Sequence, residues 1–150
     1  MQTLIIGIGN RYRRDDGAGP AVLDRLRDLK PAGVELVERS GEGAELIDSW
    51  RGARSVIVVD AVSSGAEPGT VHRLDASREA IPARFFHYST HAFSLAEAVE
   101  TARTLGELPR RLIIFGIEGA DFGAGEEFSD PVTAALAEVV ERIRTELAGA

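Results

Sequence analysis

Three short aliphatic runs dominate the hydrophobic pattern of the chain: Leu4–Ile8, Val56–Val59 and Leu112–Ile117. Each is short and rich in β-branched residues, which is typical of a strand that is buried on both faces of a sheet. Between these runs, apolar residues recur three and four positions apart, which is the spacing of amphipathic helices. The pattern therefore predicts strands that alternate with helices.

The complete pattern predicts five strands and four helices. Strands are expected at Thr3–Gly9, Val34–Val37, Ser55–Val62, Gly69–Leu74 and Arg111–Ile117, and helices at Gly17–Leu29, Ala44–Trp50, Leu95–Leu105 and Pro131–Leu147. This alternation indicates an α/β fold with a mainly parallel sheet and helices on both faces. The fourth strand follows a loop without a helix, so we expect it to run antiparallel. At this length we expect one domain, residues 1–150.

Two of the predicted helices carry local start signals. Ser94-Leu95-Ala96-Glu97 matches a capping box, in which a hydroxyl and a carboxylate satisfy backbone donors of the first turn. Asp130-Pro131 matches an N-cap followed by proline at the first helical position.

The chain is acidic, because 24 Asp and Glu against 17 Lys and Arg give a formal net charge of -7. Nucleic acids and anionic membranes bind cationic surfaces, so we expect neither as a partner. Cysteine is absent, which excludes disulfides, thiolate metal sites and cysteine nucleophiles. The first residues lead into a strand without a basic or long apolar leader, and no apolar run approaches the ~20 residues of a membrane helix. We therefore expect a cytoplasmic protein.

The first strand ends in a glycine-rich turn, Gly7-Ile8-Gly9-Asn10-Arg11-Tyr12. A dinucleotide site requires a third glycine where Tyr12 stands, and the helix must begin at once. No Gly-Lys-Ser/Thr follows, which excludes a P-loop. We therefore expect Gly7 to serve close backbone packing rather than nucleotide binding.

Three side chains are candidates for chemistry. Asp16 follows the first strand, Asp60 ends the Val56–Val59 strand, and His91 precedes a predicted helix. In a doubly wound sheet these two strands are neighbours that flank the point where the crossovers change face, and ligands bind at their carboxyl ends. Two carboxylates and one imidazole, with open positions left, suit zinc, nickel or similar divalent ions.

Each of these residues also has a simpler explanation. Asp15 or Asp16 taken alone would serve as a helix cap, which the helix dipole favours. His91 taken alone would serve as a hydrogen-bonding loop residue. His72 and His87 lack comparable partners in the sequence, so we expect them at the surface.

Four segments follow one another in a specific order: G-I-G-N-x-x-x-x-D-D-G-x-G, V-V-D-A-V, S-T-H-A-F-S-L-A-E-A and F-G-I-E-G. Together they resemble the nickel–iron hydrogenase maturation proteases over nearly the whole chain. The resemblance implies a three-layer α/β/α sandwich of the phosphorylase/hydrolase-like type. It also implies an endopeptidase, aspartic-type or metal-dependent, that removes the C-terminal extension of a hydrogenase large-subunit precursor after nickel insertion.

The same resemblance implies the site residues and the partner. Asp16, Asp60 and His91 match the family's metal-contacting residues and are expected to serve both metal binding and catalysis. Nickel would arrive with the precursor, and another divalent ion such as zinc or cadmium would take its place in vitro. The expected partner is the precursor, and the expected state is a monomer. The loop Glu38–Gly43 departs from the family's Asp-Gly-Gly-Thr pattern, with Glu38 in the position of that Asp.

Several mechanisms and functions stay open at this point. Nickel polarises the scissile carbonyl, or a nickel-bound water attacks it, or Asp16 or Asp60 acts as general base. No Ser–His–Asp arrangement is evident, so covalent catalysis is not expected. The alternatives are another metal-assisted hydrolase of this fold, such as a peptidyl-tRNA hydrolase-like enzyme, and a non-catalytic module that binds a metal or a partner. The tRNA hydrolase would need a basic surface.

Overall fold

The computed structural model of the chain describes residues 2–86 and 93–149. The strands are β1 Thr3–Ile8, β2 Val34–Arg39, β3 Ser55–Val62, β4 Val71–Asp75 and β5 Arg111–Glu118. The helices are α1 Ala18–Leu29, α2 Gly43–Trp50, α3 Leu95–Leu105 and α4 Asp130–Ala148. Two short 3-10 helices cover Arg14–Gly17 and Ala83–Phe86.

The five strands form one sheet in the order β2-β1-β3-β5-β4. β1 pairs in parallel with both β2 and β3, and β3 pairs in parallel with β5. β4 runs antiparallel against β5. The predicted α/β fold, a mainly parallel sheet with one antiparallel strand, is therefore confirmed.

The sheet separates two apolar cores. One core lies between the sheet and the helices α1 and α4, and the other lies between the sheet and α2 and α3. Ile5 and Ile6 are adjacent in β1 and fully buried in different cores, because successive side chains of a strand point to opposite faces. This arrangement explains why the three aliphatic runs show no polar alternation. No helix of residues 2–86 and 93–149 is long and apolar enough to cross a membrane.

The first two crossover helices lie on opposite faces of the sheet. α1 carries the chain to β2 along one face, while α2 carries it to β3 along the other. β1 and β3 are hydrogen-bonded neighbours, so their carboxyl ends border the crevice where ligands bind in folds of this type.

The helix starts differ in detail from the local signals. The Ser94 hydroxyl donates to the Glu97 carboxylate at 2.6 Å and does not cap the backbone of α3. The N-cap of α4 is Ser129, so Pro131 is the second helical residue rather than the first. The Ser129 hydroxyl is not available as a cap, because it donates to Asp15 at 2.9 Å.

The close approach of α1 to the sheet gives a first prediction. A Cβ atom at Gly19 would lie 2.4 Å from the Ile8 carbonyl oxygen and 2.6 Å from that of Val59. Because both are backbone atoms of buried strands, we expect Gly19→Ala to lower the free energy of unfolding by about 1–3 kcal/mol, as measured by urea denaturation. Gly149→Ala is the control, since its nearest neighbour lies 3.6 Å away. Equal denaturation midpoints for the two variants would contradict the prediction.

Candidate active site

Asp16 and Asp60 lie on adjoining elements at the carboxyl edge of the sheet. Asp60 lies near the carboxyl end of β3, in register with Gly116 of β5. Asp16 belongs to the 3-10 helix that follows β1 and packs against β3. Asp16 is only 8% exposed and Asp60 only 5% exposed. Two carboxylates with little contact to water therefore stand at the crevice between β1 and β3.

The position of Asp16 follows from the way α1 begins. Gly19 packs directly against Ile8 at the end of β1 and against Val59, the residue before Asp60. Asp16 precedes Gly19 by three residues, so the same contact brings its backbone to the end of β3. Gly9 completes the turn with φ +147, and a Cβ there would lie 1.9 Å from the Asp16 carbonyl oxygen. Only glycine fits this place.

One oxygen of the Asp16 carboxylate is held and the other is available. The backbone N–H of Asn10 donates to Oδ2 at 2.9 Å. The Asn10 side chain in turn accepts from the backbone N–H of Tyr12 at 2.9 Å, which rigidifies the turn. Within the described ranges, no group donates to Oδ1 of Asp16. A carboxylate fixed through one oxygen can offer the other to a cation or to a proton.

Asp15 has a different role from its neighbour. It is fully buried, and its carboxylate accepts the backbone N–H groups of Ala120, Asp121 and Ser129 at 2.8–3.0 Å, as well as the Ser129 hydroxyl. Burial by itself raises the pKa of Asp15, but these donors together hold it below its ordinary value. Asp15 therefore ties the β1–α1 connection to the β5–α4 loop. Neither carboxylate simply caps α1, whose N-cap Gly17 has no side chain.

His91 lies outside the described residues, as does His87, so the part of His91 in the site stays a prediction. Within residues 2–86 and 93–149, no three His, Cys, Asp or Glu side chains form a group that could hold a metal ion. The two aspartates fit a divalent cation in their chemistry but supply too few ligands by themselves. A metal at this edge would need further ligands, either from His91 or from a bound protein.

A further buried carboxylate, that of Glu118, was not among the residues singled out from the sequence. Glu118 is 2% exposed at the end of β5 and accepts the backbone N–H and hydroxyl of Ser64 at 2.8 and 2.6 Å. His72 of β4 lies with Nε2 3.0 Å from Oε1 of Glu118. Its ring also contacts that of Phe85, with 4.8 Å between centroids. The expectation that His72 has no comparable partner was therefore wrong. The signal was Glu118 itself, which directly follows the apolar run Leu112–Ile117 as Asp60 follows the run Val56–Val59.

This cluster of Ser64, His72 and Glu118 holds the loop that follows β3. It joins that loop to β5 and to the antiparallel strand β4. The backbone N–H of Ser63 also donates to the Phe85 carbonyl at 2.9 Å, so the same loop is hydrogen-bonded to the second 3-10 helix. The segment after Asp60 is thus anchored to three other parts of the fold.

The divergent loop Glu38–Gly43 also has structural contacts. Arg11 forms ion pairs with Glu38 at 2.8 Å and with Asp24 at 2.7 Å. The hydrogen bonds that Arg11 donates to the carboxylates of Asp24 and Glu38 raise the pKa of Arg11 above its ordinary value. Glu42 caps α2 by accepting the backbone N–H groups of Ala44 and Glu45. Glu38 lies in β2, so its ion pair with Arg11 joins the edge strand to the turn after β1.

A protein-family comparison matches residues 21–146 to the model described as hydrogenase maturation protease. The chain belongs to the hydrogenase maturation protease family. This match confirms the predicted family and the general enzyme class, a peptidase. It covers β2 to β5, α2, α3 and most of α1 and α4, and it begins after β1 and Asp16.

Named relatives of the chain agree with the family match. The hydrogenase 2 maturation protease of Escherichia coli strain K12 is 31% identical over 121 residues, covering 78% of this chain and 73% of the relative. The hydrogenase expression/formation protein HupD of Thiocapsa roseopersicina is 29% identical over 93% of this chain, which spans 66% of that protein. The solution structure of an endopeptidase from Escherichia coli superposes with a TM-score of 0.81 at 26% identity, covering 95% of this chain and 90% of that one.

The hydrogen bonds to Asp15 predict a defined dependence of stability on pH. Because folding lowers its pKa, the stabilisation is present above the unfolded pKa of about 3.9 and is lost as pH falls through the lower folded pKa. We expect Asp15→Asn to lower the free energy of unfolding by about 1–3 kcal/mol at pH 7. The substitution replaces a carboxylate that accepts hydrogen bonds by an amide, whose NH₂ group would face the N–H and hydroxyl donors of the β5–α4 loop. The difference from wild type should shrink at about pH 3. Urea denaturation at both pH values measures it.

Asp28→Asn is the control for this experiment, since Asp28 is exposed on α1. It should change the stability little at either pH. A difference between Asp15→Asn and wild type that stays constant across the two pH values would show that the charge of Asp15 does not matter.

Proposed function

We propose that this protein removes the C-terminal extension of a nickel–iron hydrogenase large-subunit precursor, guided by nickel already bound in the precursor. The observation that carries the proposal is the pair of nearly buried carboxylates, Asp16 and Asp60, at the crevice between β1 and β3. Family membership supports a hydrogenase precursor as the substrate. The names of the relatives, a hydrogenase maturation protease and a hydrogenase formation protein, point the same way.

In this proposal the carboxylates recognise the precursor by binding its nickel, which is part of the substrate. Oδ1 of Asp16 is free of described donors, and the turn around Gly9 and Asn10 holds the rest of the residue in place. In this proposal Asp16, Asp60 and His91 bind at open positions of the nickel, a borderline cation that accepts oxygen and nitrogen ligands. The ligand shell is complete only when both proteins are present. Precursor without nickel therefore lacks part of its binding surface.

Hydrolysis then requires a water molecule, a base and a polarised carbonyl. Water adds to the scissile carbonyl carbon, one carboxylate of the pair takes the proton of the water, and the departing amine receives a proton as the C–N bond breaks. The nickel of the substrate stabilises the negative charge on the carbonyl oxygen. The Ser64 hydroxyl donates to the Glu118 carboxylate, and within the described ranges it forms no hydrogen bond with an imidazole, so it lacks the Ser–His pair of the common serine nucleophiles.

We further propose that the enzyme acts as a monomer in the cytoplasm. The absence of cysteine fits a reducing compartment. No observation favours the peptidyl-tRNA hydrolase-like alternative, since the net charge of -7 opposes binding of tRNA.

A precursor-processing assay tests the site. We expect Asp16→Asn, Asp60→Asn and His91→Ala each to reduce the rate of precursor shortening by about 10²-fold or more, because each removes a ligand or base from the reacting centre. The extent of shortening is followed by mass spectrometry, and thermal unfolding checks that each variant folds. Asp28→Asn, a matched exposed substitution, should process the precursor at the wild-type rate.

The same assay separates the possible roles of the metal. Wild-type enzyme should cleave nickel-loaded precursor and leave nickel-free precursor intact. Equal cleavage of both precursors, with activity still lost in Asp16→Asn, would eliminate nickel guidance while keeping the aspartates as an acid–base pair. If the wild-type protein binds the precursor but does not cleave it, the result would support a non-catalytic binding module and contradict the proposed reaction.

A further inference from the structure

A cavity lies at the opposite end of the sheet from Asp16 and Asp60. Its volume is about 390 Å³, and it opens at the amino ends of β1, β3 and β5. The six polar residues that line it are Gln2, Thr3, Arg54, Ser55, Arg110 and Arg111. Leu147 near the end of α4 and the turn before β2 close its sides.

The charge of this cavity is opposite to that of the whole protein. Its lining contains three arginines and no acidic residue, although the chain carries a net charge of -7. Arg54 and Arg110 are exposed, and neither forms an ion pair with a carboxylate of residues 2–86 or 93–149. Two guanidinium groups therefore stand beside the cavity without a neutralising partner from the described part of the chain.

Three of the lining residues form a row across the sheet. Thr3 of β1 is in register with Ser55 of β3, and Ser55 is in register with Arg111 of β5. Residues in register on neighbouring parallel strands point to the same face and are spaced by about 4.8 Å. The hydroxyls of Thr3 and Ser55 bind no group within the described ranges. Two hydroxyls and a guanidinium thus face the cavity side by side.

Arg111 is held in place by the neighbouring helix. Its guanidinium forms an ion pair with Glu146 of α4, and Glu146 is shared with Arg73 at 2.6 Å. Because one carboxylate serves two arginines, a positive charge remains in this part of the surface. The Arg111 side chain is still 33% exposed, so its other N–H groups can reach a ligand.

We propose that this cavity binds a small organic anion that carries a phosphate or carboxylate group. Guanidinium groups bind both kinds of oxyanion through paired N–H donors, and the hydroxyls of Thr3 and Ser55 add neutral donors. The volume of the cavity falls in the range of about 300–1,000 Å³ that is usual for small-molecule sites. The ligand is therefore a small molecule.

This site is separate from the candidate active site. β1 contributes Thr3 to the cavity and leads to the Asp16 turn at its other end, and its six residues span about 20 Å. The proposal therefore does not depend on the proposed protease reaction. Substitutions in the cavity should leave precursor cleavage unchanged.

Titration of the full-length protein with inorganic pyrophosphate and with citrate tests the proposal. Isothermal calorimetry gives the affinity, and amide NMR shifts give the location; sodium chloride at matched ionic strength controls for salt. We expect saturable binding of at least one probe, with the largest shifts at Thr3, Gly33 and Ser55. Arg54→Gln and Arg110→Gln should each weaken binding about tenfold or more, because each removes a charge-assisted hydrogen bond.

Arg25→Gln is the matched control, since Arg25 is an exposed arginine of α1 outside the cavity. It should leave the affinity unchanged. Stronger binding of pyrophosphate would identify a phosphate ligand, and stronger binding of citrate a carboxylate ligand. The proposal is overturned if neither probe gives saturable binding, or if Arg25→Gln weakens binding as much as Arg54→Gln does. A poly-glutamate peptide is titrated in parallel as an acidic polymer. Binding of this peptide alone, without binding of either small probe, would also overturn the proposal.

Discussion

The contact between the start of α1 and the ends of β1 and β3 governs the geometry of this protein. Gly7 and Gly19 face each other there, and a Cβ at Gly7 would lie 2.7 Å from the Gly19 carbonyl oxygen. Without side chains at these two positions, the helix backbone can lie directly on the strands. The connection between them, residues 9–17, returns to the sheet through the 3-10 helix Arg14–Gly17, and Asp16 is held beside the strand that carries Asp60. The expected packing role of Gly7 is confirmed by this contact.

Two neighbouring aspartates show how the environment divides chemically identical groups. Asp15 turns into the protein and accepts four hydrogen bonds, so its charge is used to join two loops. Asp16 has one hydrogen bond to a backbone N–H and keeps an oxygen free of described donors. The first carboxylate therefore stabilises the fold, whereas the second remains able to bind a ligand. The stability of the loop around Asp15 in turn keeps Asp16 in position.

The two ends of the sheet have opposite character. Buried carboxylates, Asp16, Asp60 and Glu118, collect where the parallel strands end. Arginines and hydroxyls collect where the same strands begin, around the 390 Å³ cavity. Parallel strands produce this separation naturally, because all of their amino ends share one edge and all of their carboxyl ends share the other. A cationic ligand and an anionic ligand can therefore be bound by one sheet at opposite ends.

Local sequence patterns were sufficient to predict the order of the strands and helices and the mainly parallel sheet. Aliphatic runs identify β1, β3 and β5 because strands buried on both faces must be apolar throughout, and the missing helix before β4 predicts its antiparallel direction. The positions of Asp16 and Asp60 at one edge follow from the same topology. Only the tertiary structure distinguishes Asp15 from Asp16, pairs His72 with Glu118 and directs the Ser129 hydroxyl to Asp15 instead of the backbone of α4. These outcomes depend on contacts between residues 46 to 114 positions apart, and no local pattern encodes which distant donors a buried carboxylate will meet.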